Sequence, residues 1–179
     1  MAKKTTKGKA AEAAKKRRAI AKGHRRKFLV VVDETPEVES ALAFAACRAL
    51  STGGGLALLY VVEPGDFQHW LGVEEIAREE GLNKARAVFR LFGRKLKTMG
   101  FENLEAEEIV REGKKAEEII SLIAEDEDIG VLVLGASRDP SGPGPLVSSL
   151  AAGKYVVDFP IPITIVPGGL TVDDIRGIA

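Results

Sequence analysis

Five short apolar runs alternate with segments of helical periodicity from residue 28 onward, and this alternation limits the chain to very few folds. The runs are Phe28 to Val32, Leu56 to Val62, a weaker and more acidic Leu104 to Val110, Ile129 to Leu134, and Ile161 to Val166. A continuous apolar run of this length reads as a strand buried on both faces, the usual state in a parallel sheet. Between the runs, apolar residues recur at helical spacing: over about Glu37 to Leu50, Val73 to Met99, Lys115 to Asp126, and from the loop after Leu134 to about Val156. Strands alternating with helices imply a single doubly wound α/β domain, a five-stranded parallel sheet with helices on both faces and right-handed crossovers. Pro162 interrupts the last run, which suits the first residues of a strand or an edge.

The breakers agree with this order. Pro36 suits a first helical turn, with Thr35 as its cap. Gly53 to Gly55 end that helix and Gly113 precedes another, while Gly81 is a place for the longest helix to bend. Gly168 and Gly169 lead into a short polar tail, which divides the chain into an arm of residues 1–27, a domain of residues 28–168 and a tail of residues 169–179.

Charge is divided unevenly. The net charge of zero conceals a first segment, residues 1–27, with 8 Lys and 4 Arg against the single acid Glu12. That arm carries +11 and the remainder −11. Its Ala- and Lys-rich composition buries little, so a flexible arm is expected. Contact with nucleic acid, a solvated tail and a tail folded back on the acidic body all fit. The arm lacks the apolar core of a secretory signal, and Lys predominance with few hydroxyl residues argues against a transit peptide. No apolar run is long enough to span a membrane, and the single cysteine, Cys47, permits no intrachain disulfide, so a cytoplasmic protein is expected.

Several chemistries find no support. The P-loop spacing and the glycine fingerprint of dinucleotide binding after the first strand are both missing. Gly135-Ala136-Ser137-Arg138 begins like a nucleophile elbow and lacks the second glycine. His24 and His69 are the only histidines, and with Cys47 they form no metal-ligand spacing. His24 reads as a solvated base, His69 beside Trp70 as part of a loop that could flank a ligand, and Cys47 as a small buried hydrophobe. No catalytic constellation is expected, and no resident metal.

Two positions stand out at the carboxyl ends of strands, where open α/β sheets bind ligands. Asp33 closes the first strand; there it would either accept hydrogen bonds from the base or sugar of a nucleotide or cap the following helix. The second is residues 129–153, strand, glycine loop and helix, a natural anion site.

Together these features resemble the universal stress protein family, over roughly residues 28 to 167. ATP-binding members carry Gly-x2-Gly-x9-Gly-Ser/Thr after the fourth strand. Here Gly135 matches the first glycine, Arg138 stands at the second, nine residues intervene, and Ser148-Ser149 occupy the last pair. The resemblance implies a homodimer paired through the last strand, Ile161 to Val166, and a stress-response role with an adenine nucleotide (ATP, ADP or AMP) as regulatory ligand, Mg entering only with ATP. It implies that Asp33 contacts adenine or ribose, that Val61 packs on the base, that Leu134 belongs to the nucleotide site, that Gly135 admits the ligand to the backbone, and that Ser148 and Ser149 donate to phosphate. Arg138 would either pair with phosphate or fill its space. Pro140, Pro143 and Pro145 remove three N–H donors, which favours a ligand with few phosphates. Slow hydrolysis is the most enzymatic outcome implied, and an adaptor that binds no nucleotide is the alternative.

Overall fold

The computed structural model describes residues 17–63 and 73–179. The elements follow in the order β1 (Lys27–Val31), α1 (Val38–Thr52), β2 (Gly55–Val62), α2 (Val73–Thr98), β3 (Ala106–Glu112), α3 (Lys115–Glu125), β4 (Ile129–Ala136), α4 (Pro145–Leu150), a 3-10 turn (Val156–Asp158), β5 (Ile163–Pro167) and α5 (Val172–Arg176). All strand pairs are parallel, in the order β3-β2-β1-β4-β5. The chain thus builds outward from β1 in one direction, then returns and builds in the other. The reversal lies between β1 and β4, whose carboxyl ends feed connections that part to opposite faces and leave a crevice.

The central strand shows why both faces must be covered. Phe28, Val30 and Val32 pack with α1 and α2, while Leu29 and Val31 pack with α3 and α4. Side chains alternate across a strand, so an unbroken apolar run supplies both layers at once. On α1 the buried face is Ala41, Ala45, Ala46 and Ala49, small residues that bring the helix close to the sheet. Gly53, at φ 68°, ends it in the left-handed region. Gly81 does not break α2. It lets that helix approach the end of β2, where a Cβ on Gly81 would stand 2.5 Å from Val62 Cγ1.

The structure corrects the expected pattern in several places. The helix after the glycine loop stops at Leu150 rather than running to Val156. Gly153 then turns under it, and a Cβ there would lie 2.5 Å from Ser149 O. The last strand begins at Ile163, because Pro162 has no N–H to pair; its carbonyl still accepts from Leu132 N at 3.0 Å. The polar tail contains α5, which buries Ile175 completely. Thr171 does this capping work through a box with Asp174, whereas Thr35 does not cap α1.

The basic arm is folded against the body from Arg17 onward. Arg17 Nη1 donates to Asp126 O at 2.8 Å, His24 Nδ1 lies 2.6 Å from Asp128 Oδ1, and Lys27 Nζ pairs with Asp126 and Glu107 at 2.7 and 2.8 Å. His24 is therefore a docked side chain and not a solvated base. Cys47 is half-buried against the core, and burial pushes its thiol pKa up, with Arg176 opposing. Residues 3–16 of the 3–27 stretch behind the nucleic-acid reading, and His69, lie outside the described residues. Within them, no helix is long and apolar enough to cross a membrane.

Candidate functional site

The crevice is built from three chain segments that leave the sheet at its carboxyl edge. The first is the turn between β1 and α1. Val32 continues the ladder by donating to Leu59 O at 2.8 Å, and Asp33 follows as the first residue free of it. The N–H and hydroxyl of Thr35 both donate to Asp33 Oδ1, at 2.9 and 2.6 Å. This closes an Asx turn, the local role open to an aspartate before a helix. Only one carboxylate oxygen is consumed. Oδ2 has Lys115 Nζ at 3.9 Å.

The second segment is the loop between β4 and α4. Its main chain folds on itself: Ser137 N donates to Pro143 O (3.0 Å), Asp139 N to Ser137 Oγ (3.1 Å), Ser141 N to Asp139 Oδ1 (2.8 Å) and Gly142 N to Asp139 O (3.1 Å). The two hydrogen bonds from Ser141 hold the exposed Asp139 carboxyl below its ordinary pKa. Gly142 and Gly144 take φ of 143° and 96°, a region that favours glycine, which permits the tight return. The third segment is the start of α3, where Lys114 and Lys115 follow the end of β3.

Between these segments lies a cleft of about 440 Å³, within the usual size of small-molecule sites. Asp33, Leu134, Gly135 and Ser149 line it, together with Glu37, Lys114 and Lys115. A neighbouring hollow of about 680 Å³ lies towards α2 and includes Val61, Tyr60 and Lys84. Asp33, Thr35, Glu63 and Lys115 border both, so Asp33 stands where the two spaces meet. Burial raises the Tyr60 phenol pKa; Lys84 opposes this, and Glu34 and Asp33 reinforce it. Tyr60 is one of the residues that line the hollow. Lys115 balances two carboxylates, Asp33 and Glu63, the latter at 3.6 Å.

The expected site residues are only partly brought together. Asp33, Leu134, Gly135 and Ser149 share the cleft, and Val61 faces the adjoining hollow. Arg138 and Ser148 line neither; both are exposed. Arg138 lies on the far side of the loop, its Nε 3.7 Å from where a Cβ on Gly169 would stand. Ser148 N is spent inside the helical turn on Gly144 O at 3.0 Å, and Ser149 Oγ donates to Leu146 O at 3.3 Å. Gly135 has a close neighbour of its own: a Cβ there would lie 2.6 Å from the Glu37 carbonyl carbon and nearer still to its oxygen. Glu37, Lys114 and Lys115 were not singled out from the sequence. The lysine pair at a strand's carboxyl end was visible there, but Glu37 gains its position only from contacts distant in sequence. Among the described residues, no group of three or more His, Cys, Asp or Glu side chains is placed to hold a metal ion.

Comparison with known proteins agrees with this fold. The chain resembles the universal stress protein UspA of Lactobacillus plantarum at 21% identity, covering 79% of this chain and 97% of that one, with a TM-score of 0.62. It resembles the universal stress protein from Archaeoglobus fulgidus in complex with dAMP at 16% identity, covering 80% and 98%, with a TM-score of 0.55. A universal stress protein in complex with cAMP aligns at 15% identity over 79% and 96%, also with a TM-score of 0.55. These likenesses concern the fold. No curated protein sequence matches significantly. Residues 24–167 match the Universal stress protein family, so the chain belongs to that family.

Proposed function

We propose that this protein binds an adenine nucleotide in the cleft between β1 and β4 as a regulatory ligand in a stress response. The observation that carries the reading is Asp33. It closes the central strand at the sheet's switch point, keeps Oδ2 free of the turn that consumes Oδ1, and borders both hollows. A carboxylate so placed suits the hydroxyl and amino donors of a nucleoside. Lys114 and Lys115 supply positive charge on the opposite wall, suited to phosphate. Relatives of the same fold carry dAMP and cAMP. Calorimetric titration of the full chain with ATP, ADP and AMP tests the reading: saturable heat is expected, and no heat at high-micromolar nucleotide overturns it.

β5 is an edge strand with Ile165 exposed, which supports a homodimer formed along that edge in the cytoplasm. Sedimentation equilibrium checks this, with a monomeric mass overturning it. A second reading, an adaptor acting through protein contacts, draws support from the β4–α4 loop, whose amides are largely satisfied by the loop itself. A null titration together with an intact dimer would favour it.

A further inference from the structure

We propose that Glu37 makes the cleft selective for a nucleoside or its monophosphate against the triphosphate; this rests on the nucleotide-binding reading above. Glu37 sits at the start of α1 with its main chain clamped from two sides. Gly135 of β4 leaves room for its carbonyl group, and a Cβ on Gly168, just after β5, would lie 2.9 Å from Glu37 Cβ and 3.4 Å from its Cα. With the backbone held there, the side chain runs into the cleft toward the β4–α4 loop. A side chain begun at Gly144 would meet Glu37 Oε1 at 3.9 Å. A carboxylate is tolerated at this point partly because it stands at the positive end of a 15-residue helix.

Among the described residues no cation lies within 4.0 Å of the Glu37 carboxylate. Lys115 faces Asp33 and Glu63, and Lys114 faces Glu117 at 3.6 Å. Only part of the loop that Glu37 faces offers open N–H groups. The amides of Ser137, Asp139, Ser141 and Gly142 are already used, three prolines have none, and the Arg138 guanidinium lies on the other side beside Gly169. One phosphate finds Lys114 and Lys115 within the same cleft. Each additional phosphate directed toward the loop brings more negative charge to a wall that already carries the Glu37 carboxylate. Like charges in a partly desolvated cleft repel strongly enough to set a preference.

The experiment is calorimetric titration of the full chain and of Glu37→Gln with adenosine, AMP, ADP and ATP, each with and without Mg, after matching melting temperatures confirm that the variant is folded. The wild type should bind AMP at least roughly tenfold more tightly than ATP, and Glu37→Gln should shift that ratio toward ATP by about tenfold, the size expected from removing one like charge. ATP binding as tightly as AMP to the wild type overturns the proposal, as does an unchanged ratio in the variant. Tight binding of Mg-ATP that Glu37→Gln abolishes also overturns it, because the carboxylate would then be holding the metal. Absence of heat with every ligand is a different result: it removes the nucleotide-binding reading itself, and this proposal with it.

Discussion

The Glu37 carbonyl fills the place where a side chain at Gly135 would begin, with the carbonyl carbon 2.6 Å from that point. The glycine at the end of β4 is thus required by packing between β4 and the start of α1, independently of any ligand. Gly135→Ala must displace the α1 turn, and backbone is the hardest neighbour to move. It should destabilise the protein by about 1–3 kcal/mol, the range for overpacking a tight site. Urea denaturation measures this. Stability equal to wild type would show that the turn yields freely and that Glu37 is not clamped.

Asp33 has two oxygens with different work. Oδ1 receives both hydrogen bonds of Thr35, whereas Oδ2 faces the cleft with Lys115 at 3.9 Å. Asp33→Asn keeps an oxygen for the turn and replaces the other acceptor with a donor. Stability should stay within about 0.5 kcal/mol, as for most half-exposed substitutions, while nucleotide affinity falls. Titration and thermal melting on the same samples separate the two effects. A loss of stability without change in binding would reduce Asp33 to a turn former.

The legibility of the sequence followed how local each signal is. β1, β2 and β4 were readable to within one or two residues because five or more successive apolar residues mark a strand covered on both faces. α5 was not, since five residues with one buried anchor, Ile175, carry no period; Thr171 and Asp174 at capping-box spacing were the available sign. Asp33 was readable because its place follows from the end of a strand. Arg138 and Ser148 matched a spacing but not a direction, as the loop turns back through Ser137 and Asp139 and leaves both exposed. Glu37 was invisible for a different reason. Its position is fixed by Gly135 and Gly168, partners about a hundred residues away or more.

Gly81 and Val62 form a contact that sets how closely α2 lies on the end of β2. A methyl on Gly81 would stand 2.5 Å from Val62 Cγ1. Gly81→Ala gains intrinsic helix propensity of roughly 1 kcal/mol, yet that methyl must displace Val62, and overpacking of about 1–3 kcal/mol should outweigh the gain. In the Gly81→Ala/Val62→Ala double variant the clash is gone, so the pair should be more stable than the sum of the single effects. A double-mutant cycle by denaturant unfolding reads the coupling directly. Simple additivity would mean that α2 moves aside without cost.

The C-terminal helix should loosen in acid. The Thr171 hydroxyl donates to Asp174 Oδ2 at 2.6 Å and its backbone N–H does so at 2.9 Å, while Asp174 N donates back to Thr171 Oγ1 at 3.2 Å. The first two hydrogen bonds favour the carboxylate and hold the Asp174 pKa below its ordinary 3.8. A carboxyl whose folded pKa is lowered contributes stability above its unfolded value and loses it as pH falls through the folded one. Protection of the Ile175 amide, which donates to Thr171 O at 3.0 Å, should therefore fall as pH drops from 5 toward 3. Hydrogen exchange, expressed as protection factors to remove the intrinsic pH dependence, follows this residue by residue. Thr171→Ala should lower the protection at pH 5 and flatten its dependence on pH. Protection that is the same at both pH values in the wild type would show that α5 is held by the burial of Ile175 and not by its cap.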